Sequence, residues 1–384
     1  MRDIRELFPT DDPVGADMLV GRGRDVAEVA GRLASGTHIV IAGPRRTGKS
    51  TVGLAALARL PRRSVYSAAV DLWDHEDLAG LVGALARAIL ANRGPVAKAM
   101  RAAREGGHEL RDLLPRGVTA SLRTALGEDV ELAFAIPPGR SPGASLGGVV
   151  RLAQRIAEKD DRRIVLFLDE FQDIAAKRFG DPDSLTKQLR AELQRCSRVS
   201  VLFAGSMEHL MRDLFGPGRR ALSQFGSFHE LSPILPSEWR AGIASRLAEL
   251  GIAAADEVID AIVQRGEGHP RTTMLISRET VSVALSRRRE RRIDYGDVLG
   301  GWDLAMQADR LRHEEIVQRL RGSAHAYAIA LRVARGQRPY TGTASAAARR
   351  ALSAIEKAGI AERLSRGAWS IPEPLLREYL ATRP

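Results

Sequence analysis

Gly43-Pro44-Arg45-Arg46-Thr47-Gly48-Lys49-Ser50 follows the apolar run His38-Ile39-Val40-Ile41-Ala42 and leads into Thr51-Val52-Gly53-Leu54-Ala55-Ala56-Leu57-Ala58. The eight residues fit G-x-x-x-x-G-K-[ST], and the flanks supply the strand before and the helix after that the pattern requires. Gly43 and Gly48 let the backbone bend until its N–H groups face phosphate oxygens, and the new helix adds its positive end. Lys49 reaches the β- and γ-phosphates, serving catalysis as well as binding, and the Ser50 hydroxyl ligates Mg²⁺. Nucleotide contacts are therefore expected from Gly43, Pro44, Arg45, Arg46, Thr47, Gly48, Lys49, Ser50 and Thr51. The ligand class is a nucleoside triphosphate.

Working outward, the next informative stretch is Arg162-Arg163-Ile164-Val165-Leu166-Phe167-Leu168-Asp169-Glu170. Its unbroken apolar run of β type predicts a strand buried on both faces of a parallel sheet. The two acids stand at its carboxyl end, where open α/β sheets place their ligands. Asp169 is expected in the Mg²⁺ coordination sphere, and Glu170 as the general base that polarises an attacking water. A solvated strand-end pair is the bland alternative; an intact phosphate loop upstream weighs against it. An Asp-Glu pair rather than Asp alone favours hydrolysis over transfer to a substrate hydroxyl, which predicts an ATPase.

Composition bounds the rest. The chain has 384 residues, enough for two or three domains at about 150 each, with 44% hydrophobic and 27% charged residues. No apolar run approaches the roughly 20 residues of a membrane helix. The N-terminus Met1-Arg2-Asp3-Ile4-Arg5-Glu6-Leu7-Phe8-Pro9 lacks a hydrophobic signal core, and a lone Cys196 argues for a reducing compartment. A cytoplasmic protein without a membrane partner is expected. The net charge of +11 invites a nucleic-acid reading, but only six of the 58 basic residues are Lys, which fits an arginine-rich codon bias equally well. One Cys and eight scattered His give no zinc spacing.

In chain order, the first eighteen residues are expected to lie over the nucleotide domain. A helix through Val29 and Leu33 precedes the phosphate loop. Val65 to Asp71 reads as a second strand, and residues 75–92 as an amphipathic helix with Leu78, Leu81, Leu85 and Ile89 on one face. Residues 91–148 form a loosely patterned insertion, either a partner-binding element or, as favoured here, a peripheral cap; Pro137-Pro138-Gly139-Arg140-Ser141-Pro142-Gly143 within it is a loop. Helices over 149–158 and 182–195 flank the Asp-Glu strand, and Val199 to Gly205 forms another buried strand ending at Ser206. From Ser237 the pattern turns helical throughout. The last 75 residues read as helix (Ala324–Arg335), helix (Ala344–Ala358), two short strands around Ser365-Arg366-Gly367, and a closing helix (Leu375–Leu380). The predicted fold is α/β: a phosphate-loop domain with a parallel sheet flanked by helices over 1–235, an α-helical lid over 236–308, and a winged helix over 309–384. Residues 309–384 hold fourteen Lys/Arg against seven Asp/Glu. Arg349 and Arg350 on the candidate recognition helix, with Arg363 and Arg366 at the wing, form a face suited to DNA phosphates; winged helices also serve as packing modules. Arg287-Arg288-Arg289-Glu290-Arg291-Arg292 is read as a solvated helix end, with nucleic-acid contact the alternative.

The order of these motifs resembles the archaeal-type, STAND-related AAA+ ATPases with initiator-like, origin-recognition-type domain order. Val20-Gly21-Arg22 resembles the N-terminal box, which in those families packs near the adenine. Membership implies ATP and Mg²⁺ as cofactors. It also implies a polar sensor at the end of the 199–205 strand, which Ser206 would supply unless it merely caps the next helix. Gly268-His269-Pro270-Arg271 resembles the second sensor, whose Arg, here Arg271, reaches the γ-phosphate from the lid; His269 is alternatively a histidine switch or a turn residue. The family's arginine after an aromatic-Gly pair is replaced in Phe225-Gly226-Ser227, leaving Arg219 and Arg220 as candidate fingers. Three readings follow: an ATPase coupling binding and slow hydrolysis to domain rearrangement, a DNA-dependent loader or transposition helper, and a nucleotide-gated signalling adaptor that does not hydrolyse. Partners implied are ATP, duplex DNA, a protein or a second copy of the chain.

Overall fold

A computed structural model describes residues 3–10, 15, 18–43, 47–92, 146–206, 208–218, 220–287, 291–323, 325–342, 344–365 and 367–383. Pro44, Arg45, Arg46, Arg219, Arg288, Arg289, Arg366, the 137–143 loop and almost all of the 91–148 insertion lie outside the described residues. The chain divides into two compact units, one of Asp25–Ala42 and Val52–Glu230, the other of Met1–Arg24, Gly43–Thr51 and Leu231–Pro384.

The first unit is built on a five-stranded sheet. Its strands are β1 (Ile39–Ala42), β2 (Val65–Asp71), β3 (Arg163–Asp169), β4 (Val199–Gly205) and β5 (Ser227–Glu230), in the order β2-β3-β4-β1-β5 with every neighbour parallel. Parallel neighbours need a crossover between them, and the helical patterns between the strands provide it. In β3 only Arg163 escapes full burial, and all seven residues of β4 are buried; covered on both faces, these strands have no use for polar alternation. Helices α4 (Leu78–Leu90), α5 (Leu146–Lys159), α6 (Pro182–Leu193) and α7 (Glu208–Phe215) contribute to one core in which Phe171, Phe203 and Phe215 meet with ring centroids 4.7–5.7 Å apart. Local signals set the helix starts. Asp77 accepts from Gly80 N at 2.7 Å ahead of α4, and Asp181 from Ser184 N at 3.0 Å ahead of α6, whose first residue is Pro182. In α3 (Lys49–Ala58), Gly53 presses on the sheet so closely that a Cβ there would meet the Phe167 ring at 2.6 Å.

The second unit contains two apolar clusters. One gathers α8 (Pro236–Glu249), α9 (Asp256–Gly266), α10 (Pro270–Arg287) and α11 (Tyr295–Ala308) around Trp239, Ile243, Ile262, Leu275 and Val298. This helical stretch also contains a two-residue parallel bridge, β6 (Ala253–Ala254) with β7 (Arg292–Ile293), which periodicity did not reveal. The N-terminal segment corrects another expectation: Leu7 and Phe8, 1% and 0% exposed, belong to this helical core rather than to the sheet. The buried Arg246 holds them there, donating to the carbonyls of Leu7 at 2.8 Å and Met18 at 2.6 Å. An apolar pair in a polar segment needs a core, and a buried guanidinium needs carbonyls. The other cluster combines α12 (Arg310–Arg321), α13 (Ala326–Ala334), α14 (Ser345–Lys357), the antiparallel hairpin β8 (Glu362–Ser365)/β9 (Ala368–Ser370) and α15 (Pro374–Ala381) around Ile329, Leu352, Ile355, Ile371 and Leu380. No helix among the described residues is long and apolar enough to cross a membrane.

Candidate functional site

The phosphate loop begins where β1 ends. Ala42 is the last residue of β1, Gly43 is buried, and α3 opens at Lys49. Gly48 has φ +91° with no atom within 4 Å of where a Cβ would lie, so its backbone conformation, not crowding, calls for glycine there. That turn starts α3 at Lys49, and the positive N-terminal end of a helix suits an anion. Lys49 is 5% exposed; Thr47 and Ser50 are half-buried.

Arg22 is tied to this loop. Its guanidinium, 5% exposed, donates to the carbonyl of Thr47 at 3.3 Å and to that of Ser232, ahead of α8, at 2.6 Å. Gly21 beside it has φ +64°, and a Cβ there would meet Ile234 at 2.5 Å and Glu238 at 2.7 Å. The Val-Gly-Arg element thus fastens the backbone at Thr47 to that at Ser232, through contacts between residues 25 and 210 positions apart that no local pattern announces.

At the carboxyl end of β3 the two acids have different surroundings. Asp169 is 7% exposed and accepts from Glu170 N at 2.9 Å through Oδ1. Glu170 stands in the left-handed region at φ 45°, ψ 41°, uncommon for a residue with a Cβ. Its Oε2 accepts from Ser206 Oγ at 2.7 Å and from Gln172 Nε2 at 2.5 Å, while Gln172 Oε1 accepts from Ser206 N at 3.2 Å. The structure therefore brings Glu170 and Ser206 together and adds Gln172, which sequence reasoning missed. Gly205 makes room for it, since a Cβ there would lie 2.6 Å from Gln172 Oε1 and 2.5 Å from Met211 Sδ.

A third acid was also missed. Asp71 ends β2 and pairs in register with Asp169. Burial pushes its carboxyl up to about 6, the neighbouring Asp169, Asp74 and Glu170 adding to the effect against the hydrogen bond from Trp73 N. The signal available was an acid closing a second strand of the same sheet.

Arg271, the second residue of α10, makes a bidentate pair with Asp309, Nη1 to Oδ2 at 2.5 Å and Nη2 to Oδ1 at 2.7 Å. Arg312 donates to the same Asp309 at 2.7 Å and also pairs with Glu373. Burial works to raise the Asp309 and Glu373 carboxyls, yet both are held below the usual range, Asp309 by Arg271 and Arg312 and Glu373 by His313 and Arg312. His269 Nδ1 accepts from Thr272 N at 3.2 Å, the part of a capping turn residue. Arg220 pairs with Asp183 at 3.0 Å on the surface. Arg349 and Arg350 are exposed on α14, whose other face, Ala348, Ala351 and Leu352, is buried; Arg363 is exposed on β8.

No protein-family model matches the sequence, and neither does any curated protein. Solved structures do resemble it in fold. The Walker-type ATPase PABY2304 of Pyrococcus abyssi superposes with a TM-score of 0.70 at 16% identity, over 97% of this chain and 99% of that one. The ORC2 protein of Aeropyrum pernix, in ADPNP-ADP complexes, gives 0.59 at 15% identity over 98% and 95%. The ORC1 protein of Aeropyrum pernix in complex with DNA gives 0.51 at 20% identity over 99% and 96%. The chain has the α/β phosphate-loop NTPase fold of these proteins along almost its whole length.

Proposed function

We propose that this protein is an ATP-binding AAA+ ATPase of the STAND-related kind, which couples ATP binding and slow hydrolysis to rearrangement of its nucleotide domain, lid and C-terminal winged helix. The observation that carries the reading is the strand, glycine-hinged loop and helix over residues 39–58, with Gly48 at φ +91° and α3 opening on Lys49. The ORC2 protein of similar fold, solved with ADPNP and ADP, supports an adenine nucleotide.

Lys49 and the N–H groups of residues 43–51 hold the phosphates. The donor set fits Mg²⁺: the Ser50 hydroxyl and the Asp169 carboxylate are hard oxygens of the type it prefers. When bound, that ion neutralises charge on the β- and γ-phosphates. Glu170 takes the proton of the attacking water, and Ser206, bonded to that carboxylate, senses the γ-phosphate. Arg271 is the lid sensor, exchanging Asp309 for the γ-phosphate. Arg219 or Arg220 of a second copy supplies a finger; without one, turnover stays slow, since a finger contributes about 10³–10⁵ in rate. Residues 91–148 form a peripheral cap, and the protein works in the cytoplasm.

A second reading, a DNA-dependent loader or transposition helper, is favoured by the exposed Arg349, Arg350 and Arg363 and by likeness to an ORC1 protein solved with DNA. The third, an adaptor that does not hydrolyse and answers to a protein partner, is favoured by Ser227 standing after Phe225-Gly226, where the resembling family carries an arginine. One experiment separates them: steady-state ATP hydrolysis with and without duplex DNA, with Glu170→Gln as control and ATP affinity of Lys49→Ala alongside. Slow turnover lost in Glu170→Gln supports the switch, and stimulation by DNA supports the loader. Unchanged ATP binding by Lys49→Ala rejects the site itself.

A further inference from the structure

We propose that Gln172 is a positioning residue for ATP hydrolysis, its amide N–H holding the Glu170 carboxylate and its amide carbonyl holding the Ser206 backbone N–H beside it. The inference rests on the reading of Glu170 as the base. Gln172 is 3% exposed, and both ends of its amide are used: Nε2 donates to Glu170 Oε2 at 2.5 Å, and Oε1 accepts from Ser206 N at 3.2 Å. Ser206 Oγ closes the triangle on the same Oε2 at 2.7 Å.

Two features make the arrangement specific. Both donors bind Oε2, so among the described residues Glu170 Oε1 has no hydrogen-bond partner. Glu170 also sits in a left-handed backbone conformation, which sets the direction its side chain leaves the strand end. A carboxylate on a flexible side chain samples several rotamers; two donors on one oxygen select one. Glycine at 205 leaves room for the amide, since a Cβ there would lie 2.6 Å from Gln172 Oε1. Gln172 therefore links the end of β4, with its candidate sensor, to the base at the end of β3.

Gln172 could in principle serve only to fasten β3 to β4, and two variants separate the roles. Gln172→Met keeps the length and apolar packing but loses both hydrogen bonds. Gln172→Glu keeps an acceptor for Ser206 N but loses the donor to Glu170. Single-turnover hydrolysis of Mg²⁺-ATP, equilibrium ATP binding and thermal unfolding are measured on the full chain for these two, Glu170→Gln and the wild type. Positioning predicts that both Gln172 variants lose on the order of 10–100-fold in hydrolysis rate with ATP affinity unchanged, measured below the unfolding transition, which the lost buried hydrogen bonds lower. Wild-type hydrolysis by Gln172→Glu overturns the proposal, even where Gln172→Met fails to fold. Wild-type hydrolysis by Glu170→Gln overturns the base assignment instead. A slow Glu170→Gln beside a wild-type Gln172→Glu leaves the base standing and removes only Gln172.

Discussion

Replacing Asp309 by asparagine tests the buried charge cluster of the second unit. The change keeps side-chain volume, so no cavity cost enters. It removes the charge that Arg271 meets through two hydrogen bonds at 2.5 and 2.7 Å, in a pair whose side chains are only 10% and 4% exposed. Arg312 keeps Glu373 as partner, so the loss falls on Arg271. Breaking a buried ion pair by removing one member costs about 3–5 kcal/mol; since the new amide would still offer one acceptor, about 3 kcal/mol is expected. For a cooperative unit of 150–250 residues, about 2–4 °C per kcal/mol translates this into a fall of roughly 6–12 °C. Calorimetry at neutral pH reads it directly. Adding Arg271→Met, which removes the uncompensated charge, should recover most of the loss. The pH dependence follows the same pair. The Asp309 and Glu373 carboxyls titrate lower folded than their ordinary 3.8 and 4.5, so their contribution is complete above those values and disappears as pH falls through the folded-state values. An Asp309→Asn protein that melts with the wild type, or an Arg271→Met that adds a further loss, would refute the reasoning.

Three other outcomes are expected. Gly48→Ala forces a side chain into φ +91° without meeting any neighbour, so ATP affinity should fall by about 1–3 kcal/mol, roughly five- to 150-fold, in an equilibrium titration; unchanged affinity would mean the loop adopts another conformation with nucleotide. Phe8→Ala should lower unfolding free energy in urea by about 3–5 kcal/mol, because Phe8 is fully enclosed in the helical core; a surface-like effect near zero would return the N-terminal segment to the exterior. Joint replacement of Arg349 and Arg350 by Glu should abolish any salt-sensitive binding to duplex DNA while leaving ATP hydrolysis in its absence unchanged; equal DNA affinity would remove α14 from the interface.

The features legible in the sequence were those whose physics is local. A phosphate loop needs a contiguous run of backbone N–H groups, so Gly43 to Ser50 announces itself, and a strand buried on both faces needs an apolar run, so Ile164 to Leu168 announces β3. The helix over 75–92 was legible from Leu78, Leu81, Leu85 and Ile89 at helical spacing, which is likewise local. Strand order, the lodging of Leu7 and Phe8 among the helices of the second unit, the grip of Arg22 on Thr47 and Ser232, and the pairing of Arg271 with Asp309 were decided by tertiary structure alone. So was the meeting of Glu170, Gln172 and Ser206: Glu170 and Ser206 are separated by 36 positions and joined only because β3 and β4 lie side by side. Periodicity records which face of an element is apolar, but a buried polar group takes whatever partner the packing of distant elements brings within reach, and that choice is made only when the chain closes on itself.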